Sequence, residues 1–225
     1  MTAPPSQDRL AFPWLRAAFF AALVRPALLL GFGLGVRHRE RLPQTGPAIV
    51  VANHNSHLDT LLLLSLFKFG TLKLVRPAAA ADYFGHKPAI RWLTQHLIGA
   101  LMIERRPKAG ERTDPLAGLS AALERGEIVL LFPEGTRGQP EVREALKSGL
   151  AHLARRHPGV PVIPVALRGL GRALPKGEWL PVPLNLYASV GEAVRADVGD
   201  KLAFTQAVEA ELDRLDTELP AALWD

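Results

Sequence analysis

Ala48-Ile49-Val50-Val51-Ala52-Asn53-His54-Asn55-Ser56-His57-Leu58-Asp59 is an apolar run that ends abruptly in a polar cluster. Gly46-Pro47 bounds the run on one side and Asn53 on the other, so residues 48–52 read as a short buried strand. The pattern then alternates. Thr60–Phe69 is apolar and of helix length, Leu72–Val75 is strand-like, Lys87–Leu97 reads as a helix and Ala100–Ile103 as a strand. Pro115–Glu124 reads as a helix closed by Gly126, and Ile128–Phe132 as a strand stopped by Pro133. Arg143–Arg156 reads as a helix with Leu146, Leu150 and Leu153 on one face. Pro161–Leu167 and Leu184–Val190 are two further strands, and Lys201–Leu219 is a final acidic helix. Strands separated by helices predict an α/β fold: one domain with a mostly parallel central sheet flanked by helices, preceded by an apolar N-terminal helical segment. The division expected is residues 1–41 for that segment and 42–225 for the α/β domain.

Composition narrows the classes. Of 225 residues 48% are hydrophobic and 22% charged, which supports a sizeable core and excludes a disordered chain. The absence of cysteine removes disulfide scaffolds, thiolate zinc sites, iron–sulfur clusters and a cysteine nucleophile. Net charge is +5, with an acidic C-terminal helix set against a basic body rich in arginine. Arginine presents a fork that fits phosphate, so the body suits a phosphate-bearing partner such as an anionic lipid surface. No nucleic-acid motif accompanies the charge, and no nucleic-acid partner is expected.

The N-terminal segment carries Phe12, Trp14, Leu15, Phe19, Phe20, Leu23 and Val24, interrupted by Arg16, Arg25 and Pro26. Its uncharged pieces, Ala17–Val24 and Pro26–Val36, are each too short to span a bilayer alone. Arg9 and Arg16 fall on one helix face and leave a wide apolar remainder, while Arg37, Arg39 and Arg41 cluster beyond the expected break at Pro26. That is the composition of an interfacial anchor, which places the chain on a membrane surface without spanning it. The alternative is a helix packed on its own domain. Gly31, Gly33 and Gly35 do not form a dinucleotide fingerprint, because the spacing is wrong and no strand precedes them.

In an open α/β sheet, functional groups collect past the carboxyl ends of strands. Three readings of the cluster after residue 52 stand side by side. His54 is a general base oriented by Asp59 across a His-x4-Asp turn. Alternatively His54, His57 and Asp59 bind a metal. Or Asn53 and Asp59 cap a helix and the histidines do no chemistry. A second polar site, Phe132-Pro133-Glu134-Gly135-Thr136-Arg137-Gly138, follows the strand at 128–132, and a third, Glu104-Arg105-Arg106, follows the strand at 100–103. By the strand-end rule all three face one mouth, with a histidine beside arginines that bind anions.

Together these residues resemble the glycerol-3-phosphate and 1-acylglycerol-3-phosphate acyltransferase family. Asn53, His54 and Asp59 match the family's Asn-His-x4-Asp block. Gly99-Ala100-Leu101-Met102-Ile103-Glu104-Arg105 matches its Gly-x-x-Phe-Ile-x-Arg block with Met for Phe. Phe132–Arg137 carries Phe-Pro-Glu-Gly-Thr-Arg complete, and Val160–Val165 carries the Val-Pro-Val-x-Pro-Val strand. Lys147 and Gly149, and Val190-Gly191-Glu192, add two smaller similarities.

The resemblance implies transfer of a fatty acyl group from a thioester to a lysophospholipid hydroxyl, foremost 1-acyl-sn-glycerol-3-phosphate. A lyso-aminolipid acceptor and a non-catalytic anionic-membrane module are the alternatives. It implies His54 and Asp59 as catalytic groups and Arg105, Glu134, Gly135, Thr136 and Arg137 as the acceptor pocket. No metal and no cofactor are implied, acyl-CoA or acyl-carrier protein being the co-substrate. The implied location is the cytoplasmic face of the cell membrane, peripheral or monotopic. No Gly-x-Ser-x-Gly elbow is present, which speaks against a serine esterase.

Overall fold

Ala48–Ala52 is the central strand of the protein, and all five of its residues are buried. In the computed structural model, residues 10, 12–80, 88–103, 114–135, 143–175, 177–196 and 200–220 are described. Seven strands lie side by side in the order β1 (Gly33–Arg37), β7 (Asn185–Val190), β6 (Val162–Arg168), β2 (Ala48–Ala52), β5 (Ile128–Leu131), β3 (Val75–Ala80) and β4 (Leu101–Ile103). From β6 to β4 all pairings are parallel, whereas β7 runs antiparallel to β6 and parallel to β1. The α/β class, the mostly parallel sheet and the apolar helix ahead of it are as the sequence predicts.

Side chains alternate across each strand, and so the sheet feeds two cores. Ala48, Val50 and Ala52 of β2, with Ile128 and Leu130 of β5, pack on one face against α3 (Leu58–Leu66) and the N-terminal helix. Ile49, Val51 and Val129 point the other way, against α6 (Ala117–Glu124), α7 (Gly149–Arg156) and α9 (Lys201–Glu218), while the short helices α5 (Pro88–Leu93) and α8 (Leu170–Ala173) follow β3 and β6. The stripe Phe204, Val208, Leu212 and Leu215 seats α9, whose start is capped by the Asp200 carboxylate on the Ala203 N–H at 2.8 Å.

Several local expectations give way. The helix expected over 143–156 begins at Gly149, because the Lys147 N–H is bonded to the Pro133 carbonyl at 2.9 Å, which draws residues 143–148 over the turn after β5. The helix expected over 60–69 ends at Leu66, and a short turn of helix, α4 (Phe69–Leu72), follows. Gly33–Arg37, read from the sequence as part of the N-terminal segment, is an edge strand of the sheet. Its glycines face side chains of β7: a Cβ on Gly33 would lie 2.0 Å from Asn185 Oδ1, and one on Gly35 2.7 Å from Tyr187 Cδ1.

The N-terminal helix is also continuous where a break at Pro26 was expected. α1 (Pro13–Phe19), a π-type turn (Phe20–Val24) and α2 (Arg25–Gly31) form one helix of 19 residues, Pro13–Gly31. The wider turn ahead of Pro26 accommodates its missing N–H and its ring. By length and composition alone this helix suffices to cross a membrane.

Its arginines do not form a solvated face. Arg16 is fully buried; its Nη1 donates to the carbonyls of Leu72 at 2.7 Å and Val75 at 2.8 Å, and its Nη2 to Ile98 at 2.6 Å. Arg25 donates to the carbonyls of Ser65 and Phe67 and lies over the Phe69 ring, 3.7 Å from its centre. Arg39 donates to Leu66 at 2.8 Å. The carbonyls of Ser65, Leu66, Phe67 and Leu72 lie at the ends of α3 and α4, where helices leave acceptors without a partner, while those of Val75 and Ile98 belong to the start of β3 and the end of the turn Thr94–Ile98.

Candidate active site

β2 stands between β6 and β5, and the chain leaves its carboxyl end directly into residues 53–59. Asn53 fixes that exit. Its Nδ2 donates to the Leu167 carbonyl and its Oδ1 accepts the Leu167 N–H, both at 2.8 Å, so one side-chain amide extends the β2–β6 ladder. The chain then turns back into α3, with Asp59 in its first turn. The Asp59 Oδ2 accepts the backbone N–H groups of Asn55 at 2.7 Å and Ser56 at 2.8 Å and lies 2.9 Å from His54 Nδ1. Asp59 is buried at 1% exposure, so these charge-assisted bonds form away from competing water. The carboxylate thus closes the turn that leads into α3 and holds an imidazole at once, and the N-cap residue of α3, His57, supplies no side-chain cap.

An ionised carboxylate can only accept, so a neutral ring with Nδ1 turned to Asp59 carries its proton at Nδ1 and has Nε2 as its acceptor nitrogen. The ring stacks on Phe132 with centroids 4.1 Å apart and 19° between planes. Bonded on one side and stacked on its face, the imidazole is fixed in orientation, while 19% of the His54 side chain remains open to solvent. His57 stands exposed at the helix start. Among the described residues no group of three or more His, Asp or Glu side chains could hold a metal ion.

Beneath His54 lies the turn after β5. Glu134 is fully buried and its Oε1 accepts the His54 N–H at 3.3 Å, tying the two loops together. Burial pushes the Glu134 carboxyl up to about 7; the nearby Glu144 and Asp59 add to this, and backbone donors from His54 and Glu144 oppose it. Gly135 turns with φ 76°, and a Cβ there would meet Lys147 Nζ at 2.6 Å, so the glycine makes room for an ammonium lying across the turn. Arg105, Thr136 and Arg137 lie outside the described residues. Phe132, Asn53 and Lys147 have roles here that motif reading did not assign. The two-way bond of Asn53 and the stacking of Phe132 depend on partners 114 and 78 positions away, beyond the reach of local spacing.

The Glu134 shift has a consequence for stability. The folded state holds this proton more tightly than the unfolded chain. Its contribution is therefore fully present below pH 4.5 and is lost as pH rises through about 7. The loss should amount to about 3 kcal/mol. Melting temperatures of Glu134→Gln and wild type, compared across this pH range, should diverge in favour of the variant as pH rises; a constant difference would show that the buried carboxyl does not titrate there.

A His-Asp pair stands at the carboxyl end of a mostly parallel sheet, beside the turn Phe132-Pro133-Glu134-Gly135, an arrangement whose chemistry is that of moving a proton and which has no nucleophile elbow. The Acyltransferase family profile matches residues 33–168, more than half of the chain, and the protein belongs to that family. It is 31% identical over 147 residues to the chloroplastic 1-acyl-sn-glycerol-3-phosphate acyltransferase of Arabidopsis thaliana, covering 65% of this chain and 39% of that one. It is 28% identical to the 1-acyl-sn-glycerol-3-phosphate acyltransferase of Pseudomonas aeruginosa, covering 82% and 66%. To that of Salmonella typhimurium it is 27% identical, covering 88% and 81%. The chain thus spans about two fifths of the plant relatives' length and more of the bacterial ones. Its fold is that of the Thermotoga maritima 1-acyl-sn-glycerophosphate acyltransferase crystal structure, with a TM-score of 0.73 at 23% identity over 98% of this chain and 85% of that one.

Proposed function

We propose that the protein transfers a fatty acyl group from a thioester to the free hydroxyl of a lysophospholipid, foremost 1-acyl-sn-glycerol-3-phosphate, giving phosphatidic acid. The observation that carries this reading is the 2.9 Å contact of His54 Nδ1 with Asp59 Oδ2 at the mouth of the sheet. In the reaction, His54 Nε2 takes the acceptor's hydroxyl proton as the oxygen attacks the thioester carbonyl. The C–S bond breaks, and the departing thiolate receives that proton from the imidazolium. A thiolate leaves readily, so the chain forms no covalent intermediate. Asp59 holds the tautomer and stabilises the transient imidazolium. Glu134 acts from below by fixing the His54 backbone, Gly135 turns beside it, and Thr136 belongs to the acceptor pocket.

Arg137 and Arg105 hold the acceptor phosphate and so align the hydroxyl with His54. Acyl-CoA or acyl-carrier protein is the donor, and neither a metal nor a further cofactor takes part. The helix Pro13–Gly31 rests on the cytoplasmic surface of the cell membrane, making the protein peripheral or monotopic, with its outer side in the lipid interface. Thioester consumption measured over a panel of lysophospholipid acceptors, with product mass, tests the proposal. Thiol release with lysophosphatidic acid and a product heavier by one acyl group is the expected result; consumption only with a lyso-aminolipid would reassign the acceptor, and none with any acceptor would overturn the reading. Arg137→Ala should raise the acceptor KM and cost about 1.5–3 kcal/mol in kcat/KM, with Arg105→Ala acting in the same direction. An unchanged acceptor dependence in both variants would remove the phosphate-holding role.

A further inference from the structure

We propose that the loop over residues 177–184 is a lipid-contacting element that seats the mouth of the His54 site on the bilayer, an inference that rests on the lipid acceptor proposed above. The loop presents Trp179, Leu180 and Val182 to solvent at 85%, 65% and 50% exposure. It is closed at its base: the Val182 N–H donates to the Ala173 carbonyl at 2.7 Å, and the Glu178 N–H to the Pro175 carbonyl at 3.1 Å. Pro175, Pro181 and Pro183 narrow its conformations further. The closure keeps the apolar tip outside the core, which is unfavourable in water and needs an apolar partner.

The sheet places that tip beside the active site. β1 and β7 run parallel with Gly33 paired to Asn185, so the segments that precede them emerge together. β7 is antiparallel to β6, and β6 is parallel to β2, so both segments emerge at the edge where β2 ends and His54 begins. One of these segments is the loop. The other is the end of the N-terminal helix, with Leu29 and Leu30 at 65% and 89% exposure. Ser56, fully buried and two residues past His54, ties the loop's base to the site through its Oγ donating to the Leu174 carbonyl at 2.8 Å.

Two apolar tips thus share the edge that carries the catalytic pair. In the sequence Arg172 and Lys176 precede the loop, which holds a single acid, Glu178, a charge balance that matches an anionic surface. Tryptophan and leucine beside basic residues are suited to the headgroup boundary, where a two-tailed lipid product must be returned.

The direct test uses the full chain with Trp14→Phe, Trp92→Phe and Trp224→Phe, so that Trp179 is the one tryptophan. With vesicles of phosphatidylcholine and phosphatidylglycerol, its emission should shift to the blue and be quenched by lipids brominated on the acyl chain. Emission that neither shifts nor quenches while the protein floats with the vesicles overturns the proposal. So does a dimer in sedimentation that Trp179→Ser/Leu180→Ser abolishes without any quenching in vesicles, since a second copy would then cover the tip. The same double variant should raise the KM for lysophosphatidate embedded in vesicles by about tenfold and leave turnover of a short-chain, monomeric acceptor unchanged. An equal loss on both acceptors overturns it. If the wild type acylates neither acceptor, the acyl-transfer reading fails, while quenching still decides whether the loop enters lipid.

Discussion

Transfer should fall by about 10²–10⁴-fold in His54→Ala, with the fold preserved, because general-base catalysis is the role proposed for the ring and the residue lies outside every strand and helix. The side chain makes its contacts with Asp59 and Phe132 at the open end of the sheet and is partly exposed, so truncation leaves the cores untouched. Asp59→Ala should lose activity to a similar degree, and it should also cost stability. Asp59 Oδ2 receives the N–H groups of Asn55 and Ser56, and its loss would leave both buried donors unpaired at about 1–3 kcal/mol. The two variants are therefore separable: both are inactive, but only Asp59→Ala melts appreciably earlier. His57→Ala serves as the control. It is exposed, and Leu62 stands where an orienting acid would be needed. Steady-state rates on folded variants decide the assignment, and a loss in His57→Ala as deep as that in His54→Ala would sink it. A chelator should leave the wild-type rate unchanged.

What the sequence shows of this protein divides along a physical line. β2, β5 and β6 are legible because strands buried on both faces must be continuously apolar, and Ile49–Val51, Ile128–Leu130 and Val162–Leu167 are. The His-x4-Asp contact is legible because both partners belong to one tight turn and the spacing constrains the distance. β1 is hidden, since its glycines carry no periodicity and its reason for being extended lies in Asn185 and Tyr187, some 150 residues on. The start of α7 is misjudged for a similar reason: Arg143–Ser148 has helical composition, and long-range bonds from the Lys147 N–H to Pro133 and from the Leu146 N–H to Glu209 override it. Periodicity also placed Arg16 on a polar face. A helical wheel records charge and direction, and cannot record that three carbonyls on other elements await that charge.

Arg16→Met should be the most destabilising of the substitutions in the N-terminal helix, at about 3 kcal/mol or roughly 6–12 °C in Tm. Methionine retains most of the apolar stem, so the cost isolates the guanidinium. Three carbonyls, of Leu72, Val75 and Ile98, would lose their donor in a site without solvent. Part of that cost is returned, because burying the charge is itself unfavourable: burial first, and Arg76 second, push Arg16 down to about 9. The net remains a loss, since the carbonyls cannot leave and the arginine could. Arg16→Lys should fall between, as one ammonium cannot serve three acceptors in the fixed fork geometry. Trp14→Ser and Leu23→Ser, on the outer side of the same helix, should change Tm little and weaken vesicle binding instead. The contrast bears on the membrane orientation proposed for the helix. Pro13–Gly31 is long and apolar enough to span, but a spanning helix would have to withdraw Arg16 from three carbonyls and Arg25 from two, and then place both charges in lipid. Docked as it is, the helix keeps its arginines in the protein and turns Trp14, Leu23, Leu29 and Leu30 outward, which is the arrangement of a helix lying along a surface. If Arg16→Met unfolds no earlier than the wild type, the clasp does not hold the helix, and a spanning orientation regains the advantage.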